Sequence, residues 1–302
     1  MLRRLGGIAL VLCAGAFGVS ACGSSDDEPA GGGGLKVDRF DSDAAWRLVK
    51  DQVEVGQRPA GSAQLRRLAV RLRRMLPEGR FEPVPGEPGV RNVVGTLAGT
   101  KPGIVIGAHY DTLVKPKGFV GANNGAAGTA AVVGVARALA RADVAARSRQ
   151  VRFVLFDGEE PAAGLPEESR DFYHSGLRGS RAYVKAHPGE TADMVLLDYV
   201  GNKGLKLPRE GTSRIALWSR LRSAARRVGA QRIFPDYSSE DIVDDHSPFL
   251  RSGVPSIDLI DWRYHGHELS DGLDKLSPGS LDAVGETVTE LATQLRAPDS
   301  RP

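Results

Sequence analysis

The sequence predicts an α/β fold: a mostly parallel, mixed central sheet with helices on both faces, in three layers. Two observations carry this expectation. Short apolar runs at 92–97, 104–108, 151–156, 194–199 and 256–260, each bounded by Gly, Pro or charged residues, read as buried strands. Helical patterns fall between several of them, clearest over 126–141. Strands that alternate with helices argue for parallel pairing under cover on both faces.

Taken from the N-terminus, residues 1–22 have the features of a signal peptide. Arg3 and Arg4 precede an apolar stretch at 8–19 that is too short to span a membrane comfortably. The run Val19-Ser20-Ala21-Cys22 resembles a bacterial lipobox, which makes Cys22 the expected lipidated residue and the membrane a partner through that anchor; the plainer alternative is an ordinary signal peptide with an incidental cysteine. The expected location is therefore exported, on the extracytoplasmic face of the cell membrane. Residues 23–37, with Gly31 through Gly34, hold too little apolar surface to fold and read as a flexible linker. One catalytic domain is expected over 38–298.

Within that domain the first helix begins after Asp41, with Ala45, Leu48, Val49 and Val53 on one face and Ser42 as its cap. A second carries Leu65, Leu68, Leu72 and Met75; its Arg66, Arg67, Arg71, Arg73 and Arg74 read as a solvated face. The last helix presents Leu281, Val284, Val288, Leu291 and Leu295. Forty basic against 37 acidic residues give a formal charge of +3, which leaves no strong field to attract nucleic acid. The two cysteines are Cys13, inside the segment to be removed, and Cys22. A metal site in the mature chain must therefore be built from His, Asp and Glu.

Such residues follow the apolar runs, where ligands collect at the carboxyl ends of strands in open α/β sheets. They are His109, Tyr110 and Asp111; Asp157, Glu159 and Glu160; Asp198; Asp244, Asp245 and His246; and His265, His267, Glu268 and Asp271. Any one of them has a bland explanation as a solvated turn or a hydrogen-bonded structural histidine. Five clusters in such positions suit a hydrolytic zinc, which needs about three ligands and an open position.

The strings GAHYDT (107–112), GANNGAAG (121–128), FVLFDGEE (153–160), LLDYVG (196–201), DDHSPFLRSGVP (244–255) and HELSDGLDKLS (267–277) resemble the zinc aminopeptidases of metallopeptidase family 28 and their glutaminyl cyclase relatives. The resemblance implies a phosphorylase/hydrolase-like zinc exopeptidase fold. It also implies His109 and Asp198 as ligands of one metal, Glu160 and His267 as ligands of another, and Glu159 as general base. Asp111 is the implied partner of the His109 imidazole, with Asp245 in a comparable supporting part. Asn124 stands where the family pattern has a metal-bridging aspartate. An amide offers one carbonyl oxygen and no charge, so one zinc is expected, with two as the alternative.

The function implied first is a zinc-dependent exopeptidase of aminopeptidase type, acting on peptide or protein N-termini through metal-activated water. A glutaminyl-peptide cyclotransferase using one zinc is the alternative. It is favoured by the double aspartate Asp244-Asp245 and disfavoured by Gly266, which stands where the cyclases carry a tryptophan before the zinc histidine; Trp262 is five residues upstream of His267. A metal-poor binding protein of the same fold is the third reading.

Overall fold

The computed structural model describes residues 34–142, 148–162, 172–264 and 266–297. The expected signal peptide, Cys22 and the linker through 33 lie outside the described residues, as do His265 and residue 298. Described helix α1 spans Ser42–Val55 and α2 spans Ala63–Met75. The cap of α1 is Asp41 rather than Ser42: its carboxylate accepts the Ala44 backbone N–H at 2.8 Å. A charged oxygen at this end also meets the helix dipole favourably, which a hydroxyl does less well. Ser62 caps α2 through the Leu65 N–H at 3.1 Å.

Strands β1 (Arg80–Pro83), β2 (Arg91–Leu97) and β3 (Thr100–His109) follow, then a π-helical turn at Ala122–Ala127 that leads into α3 (Gly128–Arg141). After β4 (Arg149–Phe156) come α4 (Phe172–Ser175), α5 (Arg178–Ala186), β5 (Thr191–Leu197) and α6 (Ile215–Val228). The chain closes with α7 (Ser247–Arg251), β6 (Ser256–Leu259) and α8 (Pro278–Arg296). The sheet order is β1-β2-β4-β3-β5-β6. Strands β4, β3, β5 and β6 are parallel, whereas β2 runs antiparallel to β4 and β1 antiparallel to β2. The expected mixed, mostly parallel sheet is therefore present, and all its antiparallel pairing lies on one side.

Alternation along the strands divides the core in two. Ile104, Ile106, Val151, Phe153, Leu155 and Leu197 face a large cluster shared with α1, α2, α3, α6 and α8. Val105, Val154, Phe156 and Leu196 face a smaller one with Tyr183 of α5 and Phe249 of α7. Helices thus cover both faces, and the sheet is the middle of three layers. Close approach is built in at Gly128, where an added Cβ would collide with the Leu197 carbonyl oxygen and push α3 off β5.

The segment before α1 is part of this core. Phe40 is 1% exposed, and its ring fills the space that a side chain at Gly134 of α3 or Gly285 of α8 would occupy. The Phe40 N–H donates to the buried Glu286 carboxylate at 2.6 Å, and the Arg39 N–H donates to the same oxygen. Phe40→Ala leaves a cavity between two helices that cannot easily close, so the domain should lose about 3–5 kcal/mol of unfolding free energy. Denaturant titration followed by circular dichroism measures it; a loss below about 1 kcal/mol would show that the segment is not integral.

Candidate metal centre and active site

The parallel strands deliver the chemistry to one edge. His109 is the last residue of β3, in register with Phe156, the last of β4. Asp157 to Glu160 form the turn after β4. Its backbone is pinned by the start of α5: Leu177 N–H donates to the Glu159 carbonyl at 3.0 Å and Arg178 N–H to the Gly158 carbonyl at 2.8 Å. Asp198 follows β5, held by its N–H on the Leu259 carbonyl of β6 at 3.0 Å.

Asp111 stands beside the His109 imidazole, as expected, and has a further part. Its carboxylate is 3.6 Å from His109 Nδ1, whereas its two oxygens accept the backbone N–H groups of Glu159 at 3.2 Å and Glu160 at 3.3 Å. It fixes the turn that aims the paired glutamates. The His109 ring is 2% exposed, and among the described residues neither of its nitrogens has a partner in hydrogen-bonding geometry. Carboxylate oxygens stand near both: Asp198 at 3.4 Å from Nε2 and Glu159 at 3.8 Å from Nδ1. Among the described residues, His109, Glu159 and Glu160 each offer a ligand atom, all within 4.8 Å of one another and all buried.

Asn124 is also brought here. The π-helical turn breaks at Asn124 and at Gly125, whose φ is 93°. The break turns the Asn124 amide onto Glu160, to which Nδ2 donates at 2.8 Å. Asp271 holds that turn from behind by accepting the N–H groups of Asn123 and Asn124 at 2.8 and 2.9 Å, with Tyr264 Oη donating to it at 2.6 Å. Asp245 is fully buried, and its neighbour Asp244, not Asp245, lines the cavity above the cluster. That cavity has a volume of about 280 Å³ and is bounded by Asn124, Glu159, Asp198, Asp244, Trp262 and His267, among others. His267 thus reaches the cavity, from an exposed loop and outside the tight His109 group.

Tyr199 is the residue that sequence reasoning missed. It has a positive φ of 45°, stacks on Trp262 at 6.1 Å with 9° between the ring planes, and meets the His267 ring edge-on at 6.3 Å. A Cβ at Gly266 would sit 2.6 Å from the Tyr199 ring. The glycine before His267 is therefore the space the Tyr199 ring needs, and Trp262 points into the cavity.

A family model described as Peptidase family M28 matches residues 92–292. The chain belongs to peptidase family M28. It is 28% identical over 229 residues to the glutaminyl-peptide cyclotransferase of Bos taurus, a match covering 65% of this chain and 63% of that protein. The chain therefore spans less than two thirds of the length of such curated relatives. Among solved structures, glutaminyl cyclase of Porphyromonas gingivalis superposes with a TM-score of 0.73 at 26% identity, over 85% of this chain and 99% of that one. A leucine aminopeptidase precursor from Bacteroides thetaiotaomicron gives 0.74 at 24% identity, over 86% and 99%, and shares the fold.

M28 enzymes are zinc-dependent, and the donor set of this M28 domain fits a divalent cation. Its imidazole nitrogens are buried without hydrogen bonds among the described residues, and its carboxylates crowd one another. Burial, with the charge of Asp111, pushes Glu160 up to about 8 against the pull of His109. Burial and Glu160 push Glu159 well above the carboxylate range. Burial alone would lower the His109 pKa, but Glu159, Asp111 and Asp198 outweigh it and hold the ring well above its ordinary value. A bound cation would offset the carboxylate crowding that adds to burial in these shifts, and so favours the deprotonated donors.

Zinc affinity should accordingly rise with pH toward about 8, because below that value the metal-free Glu160 carries a proton that the ion must displace. Calorimetry in two buffers of different ionisation enthalpy reads the released proton; binding at about pH 6 without release would contradict it. Asn124→Asp exchanges the donor facing Glu160 for a second carboxylate. The metal-free variant should lose about 1–3 kcal/mol, and its Tm should rise more on adding zinc than that of the parent. Thermal unfolding with and without zinc tests both, and an unchanged metal-free Tm would overturn the assigned contact.

Proposed function

We propose that this M28 domain cyclises N-terminal glutaminyl residues of peptides, as a glutaminyl-peptide cyclotransferase. The carrying observation is the Tyr199–Trp262 stack, which walls a cavity of about 280 Å³ directly beside Glu159. The cavity suits one residue rather than an extended chain, and a flat aromatic wall suits a planar amide. The relatives named above by that activity support the same reading.

In this reading His109, Glu160 and Asp198 hold the metal, with His267 reaching in from the cavity mouth. When bound, zinc would supply electrophilic polarisation of the substrate's side-chain amide. The substrate's own amine attacks that carbonyl; a C–N bond forms to the amine, the bond to the side-chain nitrogen breaks, and ammonia leaves. Glu159 takes the proton from the attacking amine and returns it to the departing nitrogen. Its burial, which disfavours a bare carboxylate, suits a group that must hold a proton during the reaction. Asp111 keeps Glu159 and Glu160 in their separate directions through the two backbone N–H groups. A lipid anchor at Cys22 would place this chemistry at the extracytoplasmic membrane face.

Exopeptidase action is the second reading. It is favoured by the same Glu159 lining an open cavity that admits water. The two differ in product. A Gln-initiated peptide incubated with the zinc-loaded protein should release ammonia and keep its length; release of free glutamine would establish the exopeptidase, and neither product would favour a binding protein. Glu159→Gln should lower turnover by about 10²–10⁴-fold while zinc, measured by elemental analysis, stays bound.

A further inference from the structure

A second cavity of about 400 Å³ adjoins the first and shares four of its walls, Tyr199, Glu240, Trp262 and His267; Tyr264 and Glu268 add to its far side. Where the first cavity holds an N-terminal residue, the second lies where the next part of the peptide must go, because successive Cα atoms are only about 3.8 Å apart. This placement rests on the functional reading above.

Its chemistry differs from that of the protein as a whole. The chain carries 40 basic and 37 acidic residues, yet neither cavity is lined by a Lys or Arg among the described residues. The first is bordered by Glu159, Asp198, Glu240, Asp241 and Asp244, and the second by Glu240 and Glu268. Glu240 and Glu268 are exposed at the mouth, and Trp262 is 42% exposed with Tyr199 stacked on it. A partly exposed indole beside two solvated carboxylates attracts a cation through both its ring face and the nearby charges.

We infer that the second cavity is a subsite for the residue after the N-terminal one and that it selects a cationic side chain, lysine or arginine. An acidic side chain there meets like charge from Glu240 and Glu268. An alanine meets neither attraction nor repulsion and falls between the two.

The test compares three peptides that differ only at the second position, Gln-Lys, Gln-Ala and Gln-Glu, by kcat/KM at low salt. Lysine should exceed glutamate by about tenfold, the combined size of an exposed cation–π contact and an exposed ion pair. The ratio should shrink at about 0.5 M salt. Glu268→Gln and Trp262→Ala should each bring it toward one, a readout internal to each variant and independent of how much of it is folded. A ratio near one in the parent, or one unchanged in both variants, overturns the subsite. If no peptide is turned over, the functional reading fails by itself. The same peptides are therefore also titrated calorimetrically, where the subsite requires the order Lys, Ala, Glu in affinity and equal Kd values refute it.

Discussion

The Asp111 carboxylate is the contact on which the site depends. It sits two residues past the end of β3, fully buried, and accepts the consecutive amides of Glu159 and Glu160. Consecutive residues of an extended chain point to opposite sides, so a turn that presents two adjacent glutamates to one centre must be held in an unusual path. A charged acceptor shared by both amides supplies that hold, and α5 supplies the other through the Glu159 and Gly158 carbonyls. The result joins the ends of β3 and β4 and lets one glutamate differ from its neighbour in what it faces.

Charge crowding is the second organising constraint. Buried carboxylates are costly unless paired, and here one imidazole, His109, faces Asp111, Glu159 and Asp198 together. Asn124 relieves part of the strain by turning its amide N–H onto Glu160, which a carboxylate at that position could not do. The substitution relative to the family pattern is thus absorbed by a hydrogen bond within the cluster. Asp271 and Tyr264 behind the turn belong to the same arrangement.

Much of this was legible in the sequence. The five apolar runs became β2 to β6 with ends moved by a few residues, because runs buried on both faces are continuous in hydrophobicity. β1 was not legible: Arg-Phe-Glu-Pro is short, partly exposed and at the sheet edge, where no apolar period is required. Helices α5 and α6 were overlooked although each buries a clear face, Tyr183 in one and Leu217, Trp218 and Leu221 in the other. The clustering of His109, Glu159 and Glu160 followed from strand ends and motif. The hold of Asp111 on the two glutamate amides did not, since an acceptor for backbone amides leaves no trace in residue type. Nor did the pairing of Gly266 with Tyr199, which are far apart in sequence and meet only because one lacks the side chain that the other's ring replaces.

Phe40 sets a temporal order for the making of the domain. It lies near the N-terminal limit of the described core, yet its ring is enclosed by α3 at Gly134 and α8 at Gly285, and its amide is satisfied by Glu286. A chain made from its N-terminus therefore displays this aromatic residue, unprotected, until almost the whole domain has been synthesised. Contacts of such long sequence separation form late and slowly, and a partly made chain meanwhile offers apolar surface to its neighbours. Closure of the domain over its N-terminal segment therefore waits on α8, which supplies both Gly285 and Glu286.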